Sequence, residues 1–245
     1  MSWVTVLGIP AAIYIASITA LMFRLLDMPM SWFAALGSGS LAVSVYTLHR
    51  SSIHTCEHMQ KRHTIALQYK LLLQIISVLS LVASAIFFWL VHDNLLLLIV
   101  TAPIGIIVYG RKTLIEPVRT FMFLKPIVVG GGIAFFAWFV AGMPSNYMFV
   151  VGFFLICSAD ALLCDLNDRK FDHATGCETL AIKLDTVWVW VVSFGLYGLA
   201  LSFLQPTIGM LFVFLFPLPL LLQVLDMRFI VDTRPLLVLL IAWVL

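Results

Sequence analysis

The chain has 245 residues, of which 62% are hydrophobic and only 11% charged, and its mean hydropathy is +1.09. That balance excludes an ordinary soluble globular domain and predicts an integral, multi-pass membrane protein with the lipid bilayer as its solvent. The formal net charge is +2, and no nucleic-acid-binding motif, Gly-rich phosphate loop or paired CxxC accompanies it, so nucleic acid is excluded as a partner.

Nine apolar stretches approach the ~20 residues that a bilayer core demands of a helix. They cover residues 4–26, 30–48, 71–91, 95–109, 126–142, 147–163, 187–204, 207–225 and 236–245. The pattern predicts an all-α fold: a single transmembrane domain over residues 1–245, built as a polytopic bundle of about nine helices. The first stretch lacks a basic start and leads through Asp27 and Pro29 straight into the second, which reads as a transmembrane helix rather than a signal peptide. The last stretch gives only about 15 Å of helix, as expected of a shortened C-terminus. Gly130, Gly131 and Gly132 in the fifth predict a close helix approach or a kink.

Basic residues set the orientation, because Lys and Arg collect in short cytoplasmic loops. Thirteen of the fourteen fall after the second, fourth, sixth and eighth stretches, while the opposite loops, such as His92-Asp93 and Gln205-Pro206, carry almost none. The N-terminus and the large loops 2–3, 4–5 and 6–7 are therefore expected in the cytoplasm. Cys56, Cys157, Cys164 and Cys177 all fall near that reducing face and are expected as free, small apolar fillers.

Chemistry concentrates after the sixth stretch. On a helix, Asp165, Asp168 and Asp172 stand at offsets of three and seven, within roughly a 60° arc. Three like charges on one face at a membrane boundary are costly unless a cation compensates them, most simply a divalent metal. Asp160 lies about 140° away around the same helix and is expected to face another partner, a basic or hydroxyl group or an acceptor deeper in a cavity. A solvated loop neutralised by Arg169 and Lys170 is the bland alternative. A second anomaly is His49, His54, His58 and His63, gathered beside Cys56 and Glu57, with His173 able to approach from the other half. Their spacing admits a Zn or Fe site, against which stands a merely His-rich loop.

The string Asp165, Asp168, Asp172, Gly176, Thr179-Leu180-Ala181 and Leu184 resembles the second aspartate-rich motif of the UbiA-type intramembrane prenyltransferases. The resemblance implies a UbiA-like nine-helix bundle with two such motifs, after helices two and six, which bind Mg²⁺ and the diphosphate of an isoprenoid donor. In the first motif Tyr46, Arg50 and the Arg62-His63 pair look like one branch of the family. His49 stands there in place of Asn or Asp, and Ile53 replaces a metal-binding aspartate, leaving Glu57 as the carboxylate. Neither replacement suits a magnesium site. One metal held by Asp165, Asp168 and Asp172 with Glu57, and loss of activity, both stay open.

The resemblance thus implies Mg²⁺-dependent transfer of an isoprenyl group from a prenyl diphosphate to an aromatic or other lipophilic acceptor. Asp165, Asp168 and Asp172 are the expected catalytic and metal-binding residues, and Arg50, Arg62, Lys112 and Lys125 the expected diphosphate-binding cations. Thr179 and Gly176 are expected to shape the end of the motif. The alternative is a catalytically inactive protein of the same fold that binds an isoprenoid, a quinone or a membrane partner.

Overall fold

The computed structural model, described over residues 2–52, 61–110, 121–174, 176–222 and 227–244, is all-helical, with no strand among the described residues. The first apolar stretch is broken into α1 (Ser2–Val6) and α2 (Ile9–Leu25). The break falls at Gly8, whose φ of +71° favours glycine, and Pro10 then fits the first turn of α2, where its missing N–H costs nothing. Next come α3 (Trp32–Ser51), α4 (Lys61–Gln68) and α5 (Lys70–Trp89). Ser31 starts α3 by accepting a hydrogen bond from the Ala34 N–H at 3.2 Å. A short 3₁₀ turn, Asp93–Leu96, leads into α6 (Leu97–Gly110), followed by α7 (Leu124–Val140) and α8 (Met148–Ala174). The chain continues through α9 (Leu180–Lys183), α10 (Thr186–Ala200), α11 (Pro206–Leu215), α12 (Leu218–Leu221) and α13 (Met227–Val244).

Three boundaries differ from those expected. The stretch 207–225 divides at Phe216 and Pro217 into α11 and α12. Helix α8 runs to Ala174 rather than stopping at 163, so the aspartate-rich segment is a continuation of a 27-residue helix. It ends where Gly176, at φ +71°, lets the Cys177 N–H reach back to the Asp172 carbonyl at 2.8 Å. Helix α13 starts at Met227, not 236, because the charges of Arg228, Asp232 and Arg234 are paired inside the protein rather than left in a loop.

Two helices, α5 and α8, are long and apolar enough to cross a bilayer, and the other apolar helices are shorter. Helix α5 runs along α3, where Ser84 donates to the Gly37 carbonyl at 2.8 Å and the hydroxyls of Ser44 and Ser77 meet at 3.3 Å. Such interhelical hydroxyl bonds hold apolar helices together where apolar surface alone gives no preference. Helix α8 packs between α7 and α10, and α2 between α3 and α13. The core between them includes Ile18, Leu21, Met22, Phe153, Ile156, Phe212 and Val231, all buried. Gly130 permits the α7 to α8 contact: a Cβ there would come within 2.6 Å of the Ser158 backbone nitrogen.

Candidate functional site

The helix packing encloses a cavity of about 440 Å³ with two kinds of wall. Ile15, Leu41, Val45, Ile133 and Phe136 give it an apolar lining. Its charged lining comes from helices far apart in sequence: Arg62 and His63 of α4, Lys125 of α7, Asp165, Asp168 and Asp172 of α8, and Arg228 and Asp232 of α13. The offsets of three and seven along α8 do what the helical period dictates, turning all three carboxylates to this one space.

Each carboxylate meets a cation of the chain. Lys125 Nζ bridges Asp165 at 2.7 Å and Asp172 at 2.6 Å. Asp168 accepts from Arg62 and, at 2.8 Å, from Arg228, which also lies 3.9 Å from Asp232. Asp165 is 4% exposed, and its Oδ2 is buried without a hydrogen-bond partner. Among the described residues no group of three or more His, Cys, Asp or Glu side chains is placed to hold a metal ion as it stands. Yet Asp165 and Asp172 already share one cation, and an unsatisfied carboxylate oxygen beside it is a hard donor of the sort Mg²⁺ takes. The donor chemistry therefore fits a magnesium ion that competes with the Lys125 ammonium.

Of the other residues expected at the site, Arg50 lines the cavity but turns Nη1 to the carbonyls of Thr5 and Val6 at the end of α1, with its guanidinium 5.5 Å above the Tyr46 ring. His49 also lines the cavity. Glu57 and Lys112 lie outside the described residues, as do Ile53, His54, Cys56 and His58. His173 is exposed near the end of α8, and Cys157, Cys164 and Cys177 are free. Arg169 donates to the Leu184 carbonyl at 2.6 Å rather than neutralising the aspartates, and so pins the turn after α8. Arg228 and Asp232 are the site residues that sequence reasoning missed: read as topology charges before a short last span, they carried no sign of the distant helix they join.

Deeper along α8, Asp160 faces a separate set of partners. It accepts from the hydroxyls of Tyr14 at 2.8 Å and Tyr197 at 2.5 Å and pairs with Arg234, which is wholly buried. This network ties α2, α8, α10 and α13 at one point and satisfies an otherwise prohibitive buried charge.

His63 is buried, stacked on Phe171 at 4.0 Å between ring centroids, and accepts at Nε2 from Arg62 Nε at 3.4 Å. Burial and the neighbouring Arg62, Arg50 and Arg228 push its pKa down to about 4, against which Asp168 pulls upward. The imidazole is thus neutral, and its Nδ1 is buried without a partner.

In comparisons with known proteins, no family model, curated protein or solved structure matches the chain.

Proposed function

We propose that the protein is an intramembrane prenyltransferase of the UbiA type, which moves an isoprenyl group from a prenyl diphosphate to an aromatic or other lipophilic acceptor. The observation that carries this reading is one cavity in which Asp165, Asp168 and Asp172 stand beside Arg62, Lys125 and Arg228 while Ile15, Leu41, Val45 and Phe136 line the rest. A prenyl diphosphate has the same division into a highly charged head and an apolar tail. A multi-pass topology of about nine spans, with N-terminus and charged loops cytoplasmic, accords with the exposed apolar side chains of Leu79, Val82, Ile86 and Trp89 on α5 and Val187 and Trp188 on α10, surface that water would not tolerate in such quantity.

Asp165, Asp168 and Asp172 would hold Mg²⁺, with Glu57 a further carboxylate for it, and when bound the ion supplies positive charge to the diphosphate oxygens. Arg62, Arg228 and Lys125 line the same space and offset the charge that develops on the leaving group. The allylic C–O bond breaks with its electron pair going to the diphosphate, and the π faces of Phe136 and Tyr14 stabilise the allylic cation. An electron pair of the acceptor closes the new bond, and the acceptor then gives up a proton. The apolar wall keeps water from intercepting the cation.

The test is turnover of a radiolabelled prenyl diphosphate by the purified protein with Mg²⁺, beside Asp165→Ala and Asp168→Ala. Loss of turnover in both variants is expected, and equal turnover would sink the reading. A second reading, an inactive protein of this fold that binds an isoprenoid, a quinone or a membrane partner, draws on the fact that Lys125, Arg62 and Arg228 already neutralise the aspartates. Tight binding of prenyl diphosphate with no product under any metal would favour it.

A further inference from the structure

His63 lines the charged part of the cavity and carries a buried nitrogen that nothing in the protein satisfies. Its hydrogen-bonding state follows from its neighbour. A guanidinium has donors only, so the contact from Arg62 Nε at 3.4 Å requires a lone pair on His63 Nε2. The proton of the neutral ring is then on Nδ1, which makes the orphaned atom an N–H donor. Buried donors are almost always paired, and one left open in a cavity marks the place of a ligand acceptor. Phe171 stacks against the ring and limits its reorientation. With Arg62 beside it and Arg50 and Arg228 lining the same cavity, the acceptor that electrostatics favour is anionic.

We infer that His63 is a ligand-contacting residue whose Nδ1–H donates to a phosphoryl oxygen of the diphosphate, as a neutral, directional donor among the cations of the site. This rests on the prenyl diphosphate reading and adds to it a residue that reads the position of the head group rather than its charge. A ring held this way selects one oxygen of the head group, which Arg62 and Lys125 do not.

The experiment measures equilibrium binding of radiolabelled pyrophosphate with Mg²⁺ to the full-length protein in detergent. His63→Phe keeps the stacking on Phe171 and removes the donor, and binding is expected to weaken about tenfold or more. His63→Asn, whose amide nitrogen falls near the Nδ1 position, is expected to recover most of that loss. In the wild-type protein, the His63 ring N–H resonance should move downfield when magnesium pyrophosphate is added, a readout that does not depend on a variant folding. Wild-type affinity in His63→Phe, equal losses in the Phe and Asn variants, an unmoved resonance, or an effect confined to the KM of the acceptor would each overturn the inference. If pyrophosphate binding survives in His63→Phe but is abolished in Asp165→Ala, only this inference fails; if the wild-type protein binds none, the diphosphate reading falls with it.

Discussion

Lys125 and Asp172, 47 residues apart in the chain, form an ion pair of 2.6 Å whose ammonium lies equally close to Asp165. One positive charge thus serves two buried carboxylates, and the site keeps a net demand for cations even when empty. Replacing the ammonium by an apolar chain in Lys125→Met leaves both carboxylates uncompensated, at a cost of about 3–5 kcal/mol. Mg²⁺ should restore much of this, because it binds the same oxygens only in the folded protein. Thermal unfolding in detergent with and without Mg²⁺ checks it: the gain from the ion is expected to be larger in the variant than in wild type, and no gain in either would remove Asp165 and Asp172 from the metal site.

Asp168 is held differently, by two guanidiniums from α4 and α13. Removal of one leaves the other, so Arg228→Gln should destabilise by only about 1–2 kcal/mol. Removing both strands the carboxylate, and the double variant with Arg62→Gln should lose more than the two single losses added together. A double-mutant cycle on unfolding midpoints would measure the excess; strict additivity would mean that the two arginines do not share Asp168.

Helix periodicity made much of this legible in advance. Asp165, Asp168 and Asp172 line one cavity because residues three and seven apart share a face whatever the tertiary structure. Arg62 and Lys125 were also legible, as cations on the polar side of the chain. What local pattern cannot encode is which distant helix supplies a partner. Arg228 and Asp232 stand in a polar stretch that resembles a loop, and they become helical only because their charges find Asp168 and one another in the packed bundle. The break between α1 and α2 was hidden for a similar reason: Gly8 sits in an unbroken apolar run, and the need for glycine arises where Tyr46 of α3 leaves no room for a Cβ. Asp160 was correctly turned away from the other three, but its tyrosine and arginine partners belong to three other helices.

At Gly130 the α7 to α8 contact leaves no space for a methyl group, since a Cβ would also meet the Phe154 carbonyl at 2.9 Å. The obstacles are backbone atoms, which cannot rotate aside. Gly130→Ala should therefore push the helices apart and cost about 1–3 kcal/mol. Gly132→Ala, where nothing lies within 4 Å, is the control and should leave the unfolding midpoint almost unchanged.

His63 gives the protein a defined acid sensitivity. Its pKa falls from 6.5 in the unfolded chain to about 4 in the folded one, so between these values the unfolded state binds more protons. Stability contributed by the neutral ring is complete above pH 6.5 and drains away as pH falls towards 4, by up to roughly 3 kcal/mol. Carboxylates titrate over part of the same range, so the informative quantity is the difference from His63→Phe. Unfolding free energies of the two proteins should converge as pH falls from 7 to 4; parallel curves would show that the ring titrates normally.

The Asp160 network predicts an asymmetry between its donors. Tyr14→Phe removes one hydroxyl and leaves the carboxylate with Tyr197 and Arg234, a loss of about 1 kcal/mol. Arg234→Met removes the only charge that compensates Asp160 among the groups printed around it, and the remaining hydroxyls cannot offset a buried carboxylate, so about 3–5 kcal/mol should go. Because the cost comes from the stranded charge rather than from the lost contact, adding Asp160→Asn to Arg234→Met should recover part of it, although a second interaction has been deleted. Unfolding midpoints of the three variants decide the matter. A double variant less stable than Arg234→Met alone would mean that α13 is held to α8 by the geometry of the pair and not by the need to neutralise Asp160.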